Sequence, residues 1–186
     1  MMTVSYPVPA NLGLATKVSE PKEIAKLKGD PIRGKAQAGK CYICHKIEGV
    51  GVPFGPELTH WGKERTIEEI LKEIVYPDAK LAHGYEKPVR LTSKKTGKVA
   101  EGFLSNYSWH AGSLKLKVMG GQTRKILFRR AGAKIDYLSD SWMPSASDLG
   151  MEDQDLADLV SYLKTCGLGE AGPAGAKPGE PVPPTG

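Results

Sequence analysis

The sequence predicts a mainly α-helical domain with a small antiparallel β insertion. A T-x-x-E capping box at Thr66 and Glu69 opens one segment of helical apolar period, and an acidic turn opens another near the C-terminal end. Between about residues 86 and 137 the period changes, because apolar residues there alternate with polar ones. With 186 residues and 40% hydrophobic composition, the chain suits one such domain.

The first elements follow from proline positions. Residues 1–28 are proline-rich and are predicted to be an irregular leader. Asp30 then supplies a cap acceptor and Pro31 occupies the first helical position, which predicts a helix running into the cysteines that begin at Cys41. The domain is therefore predicted to span residues 29–168.

The next helix is the clearest in the chain, and Pro77 ends it. Its buried stripe is predicted to be Ile67, Ile70, Leu71, Ile74 and Val75.

In the alternating segment that follows, "KKTGK" and "MGG" supply turns. The expected apolar strand positions are Val89, Leu91, Leu114, Leu116, Val118, Ile126 and Phe128. The opposite face of this sheet is predicted to be cationic.

A last helix is predicted in "MEDQDLADLVSYLKTCG", with acids in its first turn and Gly167 as its stop. Met151 is predicted to pack onto this helix from just before its cap. Cys166 is expected to be a buried, inert thiol, with an intermolecular disulfide as the alternative. Residues 169–186, rich in Pro and Gly, are predicted to be disordered.

Charge is unevenly distributed along the chain. Residues 80–134 hold thirteen of the 26 Lys and Arg but only Glu86 and Glu101 as acids, which gives this segment +11 and the remainder −6. No apolar run of 18 residues is present, so no membrane-spanning segment is expected. The N-terminus lacks the basic-then-apolar pattern of a secretory signal. Either the protein is cytoplasmic, or its export signal was removed and is absent from this sequence.

The stretch "CYICH" places Cys41, Cys44 and His45 together. Zinc would need a fourth ligand and adjacent Cys and His are awkward on one tetrahedral ion. A redox dithiol would need a preceding strand, which the sequence lacks. Covalent haem attachment uses every residue, because the two thiols add to the porphyrin vinyl groups and His45 lies under the iron as the proximal ligand. In "GPEL", eleven residues after Cys44, the carbonyl of Pro56 is expected to accept a hydrogen bond from His45.

Three stretches carry a family resemblance. These are "GDPIRGKAQAGKCYICHKIEGVGVPFGPEL", "IVYPDAKLAHGYE" and "SWMPSASDLGMEDQDLADLVSYLK", within residues 28–165. They resemble class I c-type cytochromes, and more narrowly the haem-binding domain common in planctomycetes and verrucomicrobia. The resemblance implies a class I cytochrome c-like helical fold around one covalent haem c. One departure is Gln37, where class I cytochromes usually have an aromatic residue; Tyr162 is expected to cover Gly34 or Ala38 instead.

The sixth iron ligand is predicted to be Met143. It lies in "SWMPSASDLG", where Pro144 fixes the chain direction of a loop between the sheet and the last helix, and the resemblance points to the same Met-Pro. Met119 is better explained as the end of a strand. The alternative is a His–His site through His60 or His83. Candidates to cover the haem edge or bind its propionates are Trp61, Arg65, Tyr137 and Trp142.

Haem with protein ligands on both faces predicts an electron carrier, not an enzyme, cycling between Fe(II) and Fe(III). Its partners would be redox proteins, a dehydrogenase or an oxidase subunit, with the basic segment 80–134 as a possible docking face and no role for nucleic acid. Haem attachment outside the cytoplasm predicts a periplasmic or other extracytoplasmic location. The alternatives are a haem enzyme or gas sensor in which Met143 dissociates, and a binding module in which haem is structural.

Overall fold

The computed structural model describes residues 17–81, 85, 88–108, 113–127 and 132–168, without the side chains of residues 106–108. It contains a helical part and a five-stranded antiparallel sheet. The helices are α1 (Pro21–Ile24), α2 (Pro31–Gln37), α3 (Ile67–Val75) and α4 (Asp153–Thr165), and a 3₁₀ turn (Ala38–Lys40) follows α2. The strands are β1 (Lys46–Ile47), β2 (Val50–Gly51), β3 (Pro88–Ser93), β4 (Val99–Ser108), β5 (Ser113–Lys117), β6 (Thr123–Leu127) and β7 (Ala133–Tyr137).

The helix starts predicted at Asp30 and Thr66 are both present. Asp30 caps α2, because its side chain accepts hydrogen bonds from the backbone N–H groups of Ile32 and Arg33 at 2.8 and 3.3 Å. At α3 the backbone N–H of Glu69 donates to Thr66 Oγ1 at 3.2 Å, and the Glu69 side chain accepts from the Thr66 N–H at 2.7 Å. The α2 helix is shorter than expected, since it ends at Gln37 before the cysteines.

The helices share one hydrophobic core, and α2 crosses α4 at Gly34. A Cβ on Gly34 would lie 1.9 Å from the carbonyl oxygen of Asp158 and 2.8 Å from the Cβ of Tyr162. Tyr162 therefore covers Gly34, as predicted from the missing aromatic at position 37. Cys166 is 3% exposed, which confirms a buried thiol, and Met151 is fully buried ahead of α4.

The sheet has the order β6-β5-β4-β3-β7, and all of its neighbouring strands are antiparallel. One face carries its own apolar cluster, separate from the core of the helices. The cluster consists of Val89, Leu91, Leu114, Leu116 and Val118, with Ala100, Leu104, Ile126, Ala133 and Ile135 packed against it. Strand register places Lys115, Lys117 and Lys125 on the opposite face.

The prediction of a mainly α-helical, class I cytochrome c-like fold with a small β insertion is wrong. Strands account for almost as much of the structure as helices, and they form a five-stranded sheet. No strand positions were predicted in β4 or β7. In β4, the longest strand, Gly102 and Phe103 are both buried although they face opposite sides of the sheet. Burial on both faces removes the alternation by which a half-exposed strand is recognised.

Two predicted segments fall largely outside the described residues. Of the leader, residues 1–16 are not described, whereas residues 21–24 form α1, and Ile24 is buried in the core of the helices. The tail, residues 169–186, is not described, and neither are His83 and His110. No helix in the described ranges is long and apolar enough to cross a membrane.

Candidate functional site

The cysteine motif forms one turn of chain directly after the 3₁₀ turn. The backbone N–H groups of Cys44 and His45 both donate to the carbonyl oxygen of Cys41, at 3.1 and 2.8 Å. Cys41, Cys44 and His45 all line one wall of an apolar cavity. The turn thus presents two thiols and an imidazole to the same space.

The loop before Pro56 holds the imidazole of His45 in place. The Nδ1–H of His45 donates to the carbonyl oxygen of Pro56 at 2.7 Å, which is the hydrogen bond that the sequence predicted. A Cβ on Gly55 would lie 2.6 Å from His45 Cε1, so only glycine lets the loop approach the ring this closely. With Nδ1 used in this way, Nε2 is the nitrogen left for a metal.

Burial determines the protonation states of the thiols and the imidazole on this wall. It raises the pKa of the Cys41 thiol to about 12, with the neighbouring Cys44 as the smaller cause. Burial also lowers the pKa of His45, against the opposing effect of its hydrogen bond to Pro56. The thiols are therefore neutral and the imidazole keeps a lone pair for a metal.

These pKa values and the arrangement of the ligands disfavour a redox dithiol and a zinc site, the two alternatives for "CYICH". A redox dithiol depends on a cysteine of lowered pKa, whereas the pKa values of Cys41 and Cys44 are both raised. A zinc site needs a cluster of ligands, and among the described residues no three His, Cys, Asp or Glu side chains are placed to hold a metal ion. Both thiols are free in the structure, as attachment to a haem requires.

Met143 lies on a loop that also lines the cavity, through Ser141, Trp142, Met143 and Pro144. Its backbone N–H donates to Ser141 Oγ at 3.1 Å, and the Ser141 N–H donates to Asp78 Oδ1 at 2.5 Å. Farther along the loop, the Ala146 N–H donates to the carbonyl oxygen of Ile74 at 3.0 Å. The end of α3 therefore fixes the course of the methionine loop.

An aromatic cluster joins this loop to the sheet and to the loop beside His45. The ring of Trp142 is 5.9 Å from Phe54 and 5.3 Å from Phe103 between centroids, and Phe54 and Phe103 are 5.0 Å apart. Tyr85 packs edge-on against Phe103 at 4.9 Å. All four rings line the cavity. We call Phe54, Tyr85, Phe103 and Trp142 the aromatic cluster.

The other predicted edge residues divide into two groups. Trp61 lines the cavity, and the guanidinium carbon of Arg65 lies 4.5 Å from the centroid of its ring. Tyr137, by contrast, is 64% exposed on β7 and does not line the cavity. His60 also lies away from the cavity, against Gly167.

Comparison with known families bears directly on this cavity. The family model described as cytochrome c matches residues 32–167. The chain belongs to the cytochrome c family. Membership identifies a haem-based electron-transfer protein and implies covalently bound haem c. A comparison with curated proteins finds no significant match.

The cavity of this cytochrome suits the group that its family binds. Its volume is about 340 Å³, in the range of roughly 300–1,000 Å³ that is usual for sites of small molecules and cofactors. Its lining is mostly aliphatic and aromatic, as a porphyrin face requires. Cys41 and Cys44 are the residues that would bond a haem covalently, and the ring of His45 faces the same space.

Sequence reasoning missed three of the four rings in the aromatic cluster of this cytochrome. Phe54 directly precedes "GPEL", and its position next to the loop that contacts His45 could have predicted that its ring lines the cavity. Tyr85 and Phe103 carry no local signal, because their role arises only when the sheet packs against the loops at 54 and 142. Met119 and Met151 also line the cavity beside Met143.

Proposed function

We propose that this cytochrome is a monohaem electron carrier with His45 and Met143 as its axial ligands. The observation that carries the proposal is one cavity that is lined both by Cys41, Cys44 and His45 and by the Met143 loop. When bound there, haem supplies an iron that changes reversibly between Fe(II) and Fe(III). The protein's own contributions are attachment, ligand orientation and exclusion of water.

The hydrogen bond to Pro56 supports His45 as the proximal ligand. A ligating imidazole commonly donates its second N–H to a carbonyl, which fixes the ring and raises the basicity of the ligating nitrogen. Gly55 supports the same role, because its missing side chain lets the carbonyl of Pro56 reach the ring.

Met143 is supported over the two other methionines by burial and anchoring. Met151 is fully buried in the core that the helices share, and Met119 is 60% exposed in the turn after β5. Met143 is half-buried, and its loop is held at Ser141 by Asp78. A thioether here would favour ferrous iron and raise the reduction potential relative to two imidazoles.

A carrier is favoured over an enzyme by the chemistry of the Met143 side. Among the described residues lining the cavity, Glu73 is the one carboxylate and His45 the one histidine. General acid–base catalysis on the distal side would call for a titratable pair there. The proposed partners are therefore redox proteins, a dehydrogenase or an oxidase subunit.

The proposal includes an extracytoplasmic location, since cytochrome c domains are commonly found there. It also includes the narrower likeness to the planctomycete and verrucomicrobial haem-binding domain, which rests on the "CYICH" and "SWMPSASDLG" stretches.

The test is to export the chain together with a haem-attachment system and to measure its mass and visible spectrum. We expect the mass of one haem, a c-type pyridine haemochrome, and a sulfur-to-iron charge-transfer band in the oxidised protein. Cys44→Ala should leave haem weakly or singly attached. Exported wild-type protein that carries no haem would refute the proposal.

The ligand assignment has its own variants. Met143→His should lower the reduction potential while the iron stays six-coordinate and low-spin, because imidazole favours ferric iron more than a thioether does. Met143→Ala should abolish the charge-transfer band, whereas Met119→Ala is the control and should keep it. A band that survives Met143→Ala would assign the sixth ligand to another residue.

A further inference from the structure

The face of the sheet that contributes Phe103 to the aromatic cluster also carries lysines, three of them on β5 and β6. Register pairs Phe103 with Lys117 across β4 and β5, so these two side chains lie on the same face. Lys115 lies two residues from Lys117 and therefore points the same way, and Lys125 pairs with Lys115 across β5 and β6. We call Lys115, Lys117 and Lys125 the lysine face.

The pairing of Lys115 with Lys125 works against stability. Like charges directly opposite each other on an antiparallel pair repel, and both residues are exposed. Neither of them forms an ion pair with any residue that the structure describes. Elsewhere on the same face Arg90 pairs with Glu101, and Lys134 pairs with Asp136. Among the residues that the structure describes, acidic neighbours therefore pair with Arg90 and Lys134 on this face but not with Lys115 and Lys125.

The lysine face lies next to the cavity. Lys117 Nζ is 3.3 Å from the hydroxyl oxygen of Tyr85, and Tyr85 and Phe103 both line the cavity. A partner bound to these lysines would thus contact the protein directly beside the aromatic cluster.

We propose that the lysine face is the docking surface for an acidic redox protein. This inference rests on the proposed carrier function and assigns it a place of contact. Leu127, 68% exposed, lies on the same face two residues beyond Lys125, and Met119, 60% exposed, lies at the rim of the cavity. Exposed apolar side chains beside cations suit a protein surface better than they suit nucleic acid, which binds through phosphate contacts.

The rest of the basic segment supplies a matched control. Lys94 and Lys95 are exposed in the turn after β3, at the end of that strand opposite to Pro88, which pairs with Phe103. Six or seven residues of strand separate them from Pro88, a distance of about 20 Å. Reversing two charges there changes the net charge of the protein as much as reversing two on the lysine face.

The experiment uses the haem-loaded protein and compares Lys115→Glu/Lys125→Glu with Lys94→Glu/Lys95→Glu. The first readout is binding to polyglutamate at low and physiological ionic strength. The second is the rate of electron transfer to a small acidic blue-copper protein by stopped flow. We expect the lysine-face variant to lose about tenfold or more in both readouts at low salt, and the turn variant to lose less than about threefold. Salt should reduce the difference, because the Debye length is about 8–10 Å at physiological ionic strength.

Equal losses in the two variants would overturn the inference, because they would show that only net charge matters. No loss in either would show that the lysine face is merely solvated. Binding to anionic phospholipid vesicles or to single-stranded RNA, tighter than to polyglutamate and lost in the lysine-face variant, would assign this surface to a different partner and would also overturn it.

Failure of the carrier function would be seen separately. The visible spectrum and haem mass of the wild-type protein report on that function without any partner. Polyglutamate binding reports on the lysine face without any electron transfer. If the wild type carries haem normally but the lysine-face variant binds polyglutamate as tightly as the wild type, the carrier function stands and the docking surface is refuted.

Discussion

The ring of Phe103 in β4 lies 5.3 Å from the ring of Trp142, the residue that precedes Met143. This contact joins the sheet to the loop that presents the proposed sixth ligand. Phe54, which packs against both rings, comes from the loop that ends at Pro56. Three elements distant in sequence therefore meet at one group of aromatic side chains, and the sheet forms part of the haem cavity.

Replacing Phe103 should therefore disturb the Met143 side of the cavity. Phe103 is 8% exposed, and Phe103→Ala should destabilise the protein by about 3–5 kcal/mol through the cavity that it leaves. We also expect a weaker sulfur-to-iron charge-transfer band, because Trp142 loses the ring that supports it. Denaturant unfolding and the visible spectrum of the oxidised protein would measure the two effects.

The control for Phe103 is Leu91→Ala on the opposite face of the sheet. Leu91 is 3% exposed and belongs to the apolar cluster of the sheet, so its loss should cost about 2–5 kcal/mol. It does not line the cavity, and the charge-transfer band should stay at full strength. Phe103→Tyr keeps an aromatic ring at this position and should therefore retain most of the charge-transfer band that Phe103→Ala loses. A band weakened equally by Leu91→Ala would mean that sheet stability, rather than the contact with Trp142, supports Met143.

A methyl group added at Gly55 should displace the imidazole of His45. The new Cβ would lie 2.6 Å from Cε1 of that ring, closer than non-bonded carbon atoms approach. We expect Gly55→Ala to lower the yield of haem-loaded protein and to shift the reduction potential, because the hydrogen bond to Pro56 would lengthen. Redox titration of the exported protein measures the shift.

The matched control is Gly39→Ala in the 3₁₀ turn, where an added Cβ has no neighbour within 4 Å. Its haem content and reduction potential should equal those of the wild type. Wild-type behaviour of both variants would show that the loop at Gly55 yields freely and does not fix the ring.

Local signals predicted the parts of the site that are close in sequence. The turn from Cys41 to His45 and the return of Pro56 lie within sixteen residues, so spacing was enough to place them together. The capping box at Thr66 was readable for the same reason. The large share of strand in the fold and the position of Phe103 in the cavity could not be predicted from the sequence. Both depend on the packing of a strand that is buried on two sides.

Gly34 should be intolerant of any side chain, because it lies where α2 crosses α4. An added Cβ would lie 1.9 Å from the carbonyl oxygen of Asp158, and backbone must move to relieve that contact. We expect Gly34→Ala to cost about 1–3 kcal/mol, the usual range for overpacking. Ile32→Ala, at a residue of the same helix that is 83% exposed, should change stability by less than about 0.5 kcal/mol. Similar thermal stability of the two variants would contradict close packing at Gly34.

The carboxylate of Asp158 should make stability depend on pH at the same crossing. It is 4% exposed and accepts hydrogen bonds from Arg33 Nε at 2.6 Å, Arg33 Nη2 at 2.9 Å and the backbone N–H of Asp30 at 2.8 Å. The hydrogen bond from Arg33 is the main cause that lowers the pKa of Asp158, and burial opposes it. Because the folded pKa lies below the unfolded one, the stabilisation is complete above the unfolded value, about 3.9, and is lost as the pH falls through the folded pKa.

Asp158→Asn should therefore be less stable than the wild type at pH 7, and the difference should shrink as the pH falls below about 4. Urea unfolding at a series of pH values measures the difference in the free energy of unfolding. Comparing two haem-loaded proteins cancels the acid sensitivity of the haem ligands, which both share. Glu64→Gln, at an exposed carboxylate, is the control for the loss of one negative charge. A difference between Asp158→Asn and the wild type that stays constant from pH 7 to pH 3 would show that the shape of the side chain, and not its charge, stabilises the crossing of α2 and α4.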